Sequence, residues 1–229
     1  MNITEKFSQW WLKKQTVKEV SNAPVFSYIV KYSARASCTE NLPMLVALHG
    51  DGDTVDGFYQ AVLSELNVRA RIVLIKGPIA HQMGDVWPFS AEQYLEYGKA
   101  FSCVVDQIAR EYPTVNKPVL LGFSGGGAMA YYQAVKHGDS YSYIFPVSGL
   151  MSQQQLGRGL CRPSAQVYAY HGKTDEVVAF SAGKAAVKLL EKKGGDVTFT
   201  AFDGGHHGIF TDMKSTIIQA IEAKLNTMQ

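Results

Sequence analysis

Cysteine is scarce in this sequence, with three in 229 residues. Cys38, Cys103 and Cys161 lie far apart and show no C-x-x-C spacing. They cannot all pair, which argues against a disulfide scaffold and for a reducing compartment. Long hydrophobic runs are also missing. No stretch approaches the roughly 18 apolar residues that cross a bilayer, so stable membrane insertion is not expected. Neither sign of charge dominates: the formal net charge is +2, and no run of Lys and Arg concentrates it. That balance excludes an obvious nucleic-acid or anionic-membrane partner. Repeats, low-complexity tracts and Pro/Gly/Ser-rich linkers are absent, so one domain is expected. The first fifteen residues mix Glu5, Lys6, Gln9, Lys13 and Lys14 among apolar ones, which is not the pattern of a secretory signal. The expected location is the cytoplasm.

What is present is an alternation of short apolar, β-branched runs with longer helical patterns, the mark of βα units on a mostly parallel sheet. Strands are expected at Val25–Tyr32, Met44–Leu48, Arg71–Ile75, Pro118–Phe123, Tyr143–Val147, Gln166–His171 and Val197–Phe202. Most are continuous apolar runs, as strands covered on both faces require. Helices are expected at Val55–Val68, Ala91–Glu111, Gly126–Lys136, Ala179–Lys193 and Thr211–Leu225. In the last, Met213, Ile217, Ile221 and Leu225 recur every four residues and form one stripe. Residues 1–22 read as a helical extension, with Phe7, Trp10, Trp11 and Val17 on or near one face. It would pack on the sheet or against a second copy in a homodimer; a cap near a groove or a foot on a membrane surface is the sharper alternative. Residues 23–229 form the single α/β domain.

The run Pro118-Val119-Leu120-Leu121-Gly122-Phe123-Ser124-Gly125-Gly126-Gly127 is a strand entering a glycine cluster that opens a helix. A serine on so sharp a turn needs small neighbours two positions to either side, and Gly122 and Gly126 supply them. The turn lifts the hydroxyl above the sheet at the positive end of the helix, where backbone N–H groups face a developing oxyanion. A phosphate-binding turn is the competing reading, but no Walker lysine follows the glycines.

A serine nucleophile of this kind needs an acid and then a histidine later in the chain. Asp175 lies in the loop after the strand Gln166–His171, at the sheet edge where ligand chemistry collects. His206 lies after Val197–Phe202, in Asp203-Gly204-Gly205-His206-His207-Gly208. His206 would take the Ser124 proton, and Asp175 would orient and stabilise the imidazole. Glu176 or Asp203 could be the acid instead, and His207 the base. His171, at a strand end, reads as structural. No metal-ligand spacing accompanies the histidines, so no metal site is expected.

Upstream, Met44–Leu48 opens into His49-Gly50-Asp51-Gly52-Asp53. H-G-x-G-D before a helix, G-F-S-x-G-G at the elbow, H-G-x-x-D-x-V-V at the acid and G-H before the last helix together resemble the phospholipase/carboxylesterase family. Two lesser matches are Lys76-Gly77-Pro78 leading to Gly84-Asp85-Val86-Trp87, and Val147-Ser148-Gly149-Leu150. The resemblance covers about residues 25–228. It implies an α/β-hydrolase fold without a large cap domain, and a cofactor-free hydrolase of small-molecule carboxylic esters or thioesters. Ser124, Asp175 and His206 match the family's triad, and the backbone amides of Asp51 and Gly125 match its two oxyanion donors. Two positions depart from the pattern: Asp51 stands where the family is usually apolar, and Gly125 where it typically has glutamine. A carboxylate beside an oxyanion opposes the developing charge unless it turns away or pairs. The expectation is that Asp51 turns toward solvent or a loop partner.

Trp87, Phe89 and Phe210 are candidates to line an acyl or alcohol pocket, with plain packing as the alternative. Other chemistries on the same fold would be those of a peptidase, a lipase or a dienelactone-type hydrolase. A relative that keeps the fold and only binds its ligand is the reading from a different class.

Overall fold

The structure is a computed structural model that describes residues 25–82, 84–157 and 163–229. The expected helix over residues 1–22 lies outside the described residues.

The chain opens with β1 (Tyr28–Tyr32) and β2 (Met44–Leu48), then a short helix α1 (Val55–Phe58) that runs into a π-turn at Tyr59–Leu63. β3 (Arg71–Ile75) follows, with a hairpin of β4 (Ile79–His81) and β5 (Gly84–Val86). The long α2 (Ala91–Glu111), β6 (Val119–Phe123), α3 (Gly125–Lys136) and β7 (Tyr143–Val147) come next. The remainder is α4 (Gln153–Leu156), β8 (Gln166–Gly172), α5 (Phe180–Lys192), β9 (Val197–Phe202) and α6 (Lys214–Asn226).

Seven strands form one sheet in the order β1-β3-β2-β6-β7-β8-β9. Only β1 runs antiparallel, against β3; every other pairing is parallel. Side chains alternate across a strand, so a two-sided core follows from the sequence of each central strand. In β2, Met44, Val46 and Leu48 enter one cluster with residues of α2, α3 and α5. Leu45 and Ala47 enter the other, with the α1 segment and α6. Ile217, Ile221 and Leu225 of the expected α6 stripe are buried in that second cluster, and Met213 packs against it.

The parallel register aligns the ends of the central strands. Leu48 pairs with Gly122, Phe123 with Val147, Val147 with Tyr170, and Gly172 with Phe202. Loops leaving β2, β6, β7, β8 and β9 therefore emerge side by side on one edge, where sites form in open parallel sheets. This is the α/β-hydrolase arrangement, with no large cap domain among the described residues.

Several local expectations differ from the structure; the first strand, for instance, begins at Tyr28 rather than Val25, and the short helix Gln153–Leu156 was not expected. The helix expected over Val55–Val68 is regular only to Phe58 and ends after Leu63. There the Ser64 hydroxyl bonds back to the Gln60 carbonyl, and the Asn67 N–H is taken by Glu222 of α6. The last helix begins at Lys214 rather than Thr211, because a 3-10 turn at Gly208–Phe210 comes first. The β4–β5 hairpin was not expected; three-residue strands carry too little alternation to be read.

Candidate active site

Ser124 caps α3 with φ 53° and ψ −115°, a strained conformation for a residue with a side chain. The fold imposes it. The Ser124 N–H bonds to the Val147 carbonyl at 2.9 Å, and the Ser124 carbonyl accepts from Ala128 N–H at 2.9 Å. A Cβ at Gly122 would stand 2.1 Å from the Gly126 carbonyl oxygen, so the turn closes only without a side chain there.

The loops after β8 and β9 bring Asp175 and His206 to this serine. His206 Nε2 lies 2.9 Å from Ser124 Oγ, and His206 Nδ1 lies 2.8 Å from Asp175 Oδ2. The second carboxylate oxygen, Oδ1, accepts from the N–H groups of Val177 and Val178 at 2.9 and 2.7 Å. With both oxygens occupied, the buried carboxylate is fixed in orientation. Burial pushes the His206 pKa down, and the hydrogen bond and charge of Asp175 oppose that shift. The imidazole is thus biased toward its neutral form, able to accept a proton from Ser124.

The other candidates lie elsewhere. Asp203 pairs with Lys173 at the surface, and Glu176 is exposed. His207 is exposed too, with its ring against Phe123 and Phe210 rather than in line with Ser124. His171 is buried, with Nε2 2.8 Å from the Val178 carbonyl and 3.2 Å from Asp175 Oδ2. It braces the loop that carries Asp175.

The loop after β2 is locked from beneath. The buried His49 donates from Nδ1 to the Gly50 carbonyl at 2.7 Å and accepts at Nε2 from Gly77 N–H at 2.9 Å. Trp87 has no exposed surface; its indole N–H donates to the His49 carbonyl at 2.9 Å. Gly52 N–H bonds to the Asp85 carbonyl, which ties the loop to the hairpin. The loop passes close to Ser124, since a Cβ at Gly50 would lie 3.4 Å from Ser124 Cβ. The N–H groups of Asp51 and Gly125 have no acceptor among the described residues.

Asp51 finds a loop partner: its Oδ1 accepts from the Trp87 backbone N–H at 2.7 Å. It also covers Gly125, where a Cβ would stand 2.2 Å from Asp51 Oδ2. The surrounding protein pushes the Asp51 pKa up, while the Trp87 N–H and His49 pull it down.

Among the aromatic candidates, Phe89 is 63% exposed and Phe210 packs edge-on against Phe123 and Phe58. Trp87 instead supports the loop. Ser148 was missed by sequence reasoning. It sits at φ 49° at the end of β7, and its hydroxyl donates to the His206 carbonyl at 3.0 Å. The only sequence signal was its place in Val147-Ser148-Gly149-Leu150.

Among solved structures, the chain is similar to a carboxylesterase from Mesorhizobium loti, with a TM-score of 0.74 at 18% identity over 88% of this chain and 96% of that one. A carboxylesterase from Bacillus cereus gives 0.68 at 16% identity, covering 92% and 98%. Acyl-protein thioesterase 2 from Zea mays gives 0.65 at 20%, covering 87% and 99%. At such identities the likeness shows the fold. No curated protein matches the chain. The phospholipase/carboxylesterase profile matches residues 95–225, more than half the sequence, including Ser124, Asp175 and His206. The chain therefore belongs to the phospholipase/carboxylesterase family.

Proposed function

We propose that this protein is a cytoplasmic serine hydrolase that cleaves small-molecule carboxylic esters or thioesters through an acyl-enzyme on Ser124. The observation that carries this reading is the hydrogen-bonded chain from Asp175 through His206 to Ser124, with separations of 2.8 and 2.9 Å. Separations of that size suit direct proton transfer between base and nucleophile.

In this mechanism His206 Nε2 removes the Ser124 proton as Oγ attacks the carbonyl carbon. The carbonyl π electrons move to oxygen, and the N–H groups of Asp51 and Gly125 receive the oxyanion. Collapse expels the alkoxide or thiolate, which leaves with the proton held by His206. Water then enters, gives a proton to His206 and attacks the acyl carbon. The second collapse releases the acid and returns the proton to Ser124. Asp175 stabilises the imidazolium at both tetrahedral stages without taking its proton. Phe89, which is exposed, and Phe210, which packs against Phe123, are the remaining candidates to line an acyl or alcohol pocket.

The test is hydrolysis of p-nitrophenyl esters from acetate to laurate, alongside labelling by a fluorophosphonate probe. The wild type should turn over and label, and Ser124→Ala should lose about three or more orders of magnitude and not label. Equal rates in the two proteins would overturn the proposal.

A further inference from the structure

The space beside Gly125 is filled by a carboxylate. A Cβ at this position would lie 2.2 Å from Asp51 Oδ2 and 2.4 Å from both Oδ1 and Cγ. Asp51 therefore occupies the volume into which a side chain at position 125 would grow. Both departures from the family pattern, the aspartate after His49-Gly50 and the glycine after Ser124, belong to this one contact.

The carboxylate is held on one side only. Oδ1 accepts from the Trp87 N–H, and no Lys, Arg or His nitrogen among the described residues lies within ion-pair distance. The nearby Asp85, by contrast, is paired with Lys76 at 3.2 Å. Asp51 as a whole residue keeps solvent-exposed surface, while its carboxylate lies against Gly125 and the Trp87 N–H. Desolvation by the surrounding protein raises its pKa, against the pull of the Trp87 N–H and His49.

A negative charge beside Gly125 with no counter-ion works against the oxyanion that forms on a neutral substrate. A cation carried by the substrate would pair with Asp51 and remove that opposition. Resting on the esterase reading above, we infer that Asp51 is a specificity-determining residue that selects esters or thioesters bearing an ammonium group close to the scissile carbonyl. The charge can enter on the leaving-group side or the acyl side, and two substrate pairs separate these. Butyrylthiocholine is compared with its uncharged isostere neohexyl thiobutyrate. The phenyl ester of betaine is compared with phenyl tert-butylacetate.

For the 229-residue chain, kcat/KM divided by each ester's own rate of alkaline hydrolysis, which removes the inductive effect of the ammonium, should favour the cationic member of at least one pair by about tenfold or more, and the pair that responds identifies the side. Raising the ionic strength should shrink that preference, a readout that needs no variant. Asp51→Asn should bring the ratio close to unity, losing rate on the cation and gaining it on the neutral isostere. A merely structural role would lower both rates together. Ratios near unity for both pairs in the wild type, or a preference untouched by Asp51→Asn, would overturn the inference while p-nitrophenyl ester turnover and Ser124 labelling leave the esterase reading intact. No turnover of any ester and no labelling would overturn both.

Discussion

The hydroxyl of Ser148 donates to the carbonyl oxygen of His206 at 3.0 Å, so the end of β7 holds the loop that follows β9. Both residues are buried, and Ser148 sits at φ 49° with its N–H bonded to the Tyr170 carbonyl. Ser148→Ala should leave the His206 carbonyl without this donor, at a cost of about 1–3 kcal/mol in stability. If the bond also positions the imidazole, kcat should fall more than KM changes. Ser148→Gly separates the two causes. It relaxes the positive φ but restores no donor, so recovered stability with persistently low kcat identifies the hydroxyl as the positioning group. Full recovery of kcat in Ser148→Gly would assign the effect to the backbone instead.

The His206 environment sets a pH dependence. Burial pushes its pKa below the usual imidazole value, Asp175 pulls it back, and His207 and His171 push it down further. The base must be neutral to act, so kcat/KM should fall on the acid side with a midpoint below about pH 6.5 and level off above it. A folded-state pKa below the unfolded value also means that folding disfavours the protonated form. Stability from this group is therefore present above the unfolded pKa and declines as pH falls below it. His207→Gln removes one depressing neighbour and should move the acid limb upward, with the plateau rate within about twofold of wild type. A plateau that collapses in His207→Gln would make His207 the base.

The indole of Trp87 links the loop bearing Asp51 to the core through its bond to the His49 carbonyl. Trp87→Phe should keep most of the packing against Phe26 and Phe101 but lose the donor. A stability loss of about 1–3 kcal/mol is expected, from the orphaned carbonyl and the smaller ring. Esterase activity should fall with it, since the Asp51 N–H sits on the loosened loop. Denaturant melts and p-nitrophenyl ester kinetics on the same preparations test both effects. A destabilised variant with unchanged kcat would detach Trp87 from the site.

Much of this arrangement was legible in the sequence because the central strands are buried on both faces and write themselves as unbroken apolar runs. Met44–Leu48, Arg71–Ile75 and Tyr143–Val147 have the expected bounds. The order of Ser124, Asp175 and His206 was legible because each follows a strand, although β9, before His206, is a part-exposed edge strand with two threonines rather than a buried apolar run. Less legible were features decided by contacts between distant segments. Trp87 and Phe89 are both aromatic and two residues apart, yet one is fully buried and the other 63% exposed. Local pattern cannot separate them; the position of His49 does. The role of Ser148 depends on a carbonyl 58 residues away. The expectation that Asp51 would find a loop partner was met, but what it covers is set by a helix far along the chain.

That last contact yields a prediction about coupling. Gly125 opens α3 and is not among the residues with positive φ, so its backbone does not require glycine. By helix propensity alone, Gly125→Ala should stabilise α3 by up to about 1 kcal/mol. In the native setting the new methyl would meet the Asp51 carboxylate at 2.2 Å, forcing it off the Trp87 N–H. Gly125→Ala should therefore lower stability and cut kcat/KM by about tenfold or more, because the displaced loop carries the Asp51 N–H. In an Asp51→Ala background the clash is gone, and the same substitution should be neutral or stabilising. A double-mutant cycle should return a coupling of about 1.4 kcal/mol or more between positions 51 and 125. Additive effects would mean that glycine at 125 serves the backbone or the substrate, and that the Asp51 carboxylate is free to move away at little cost.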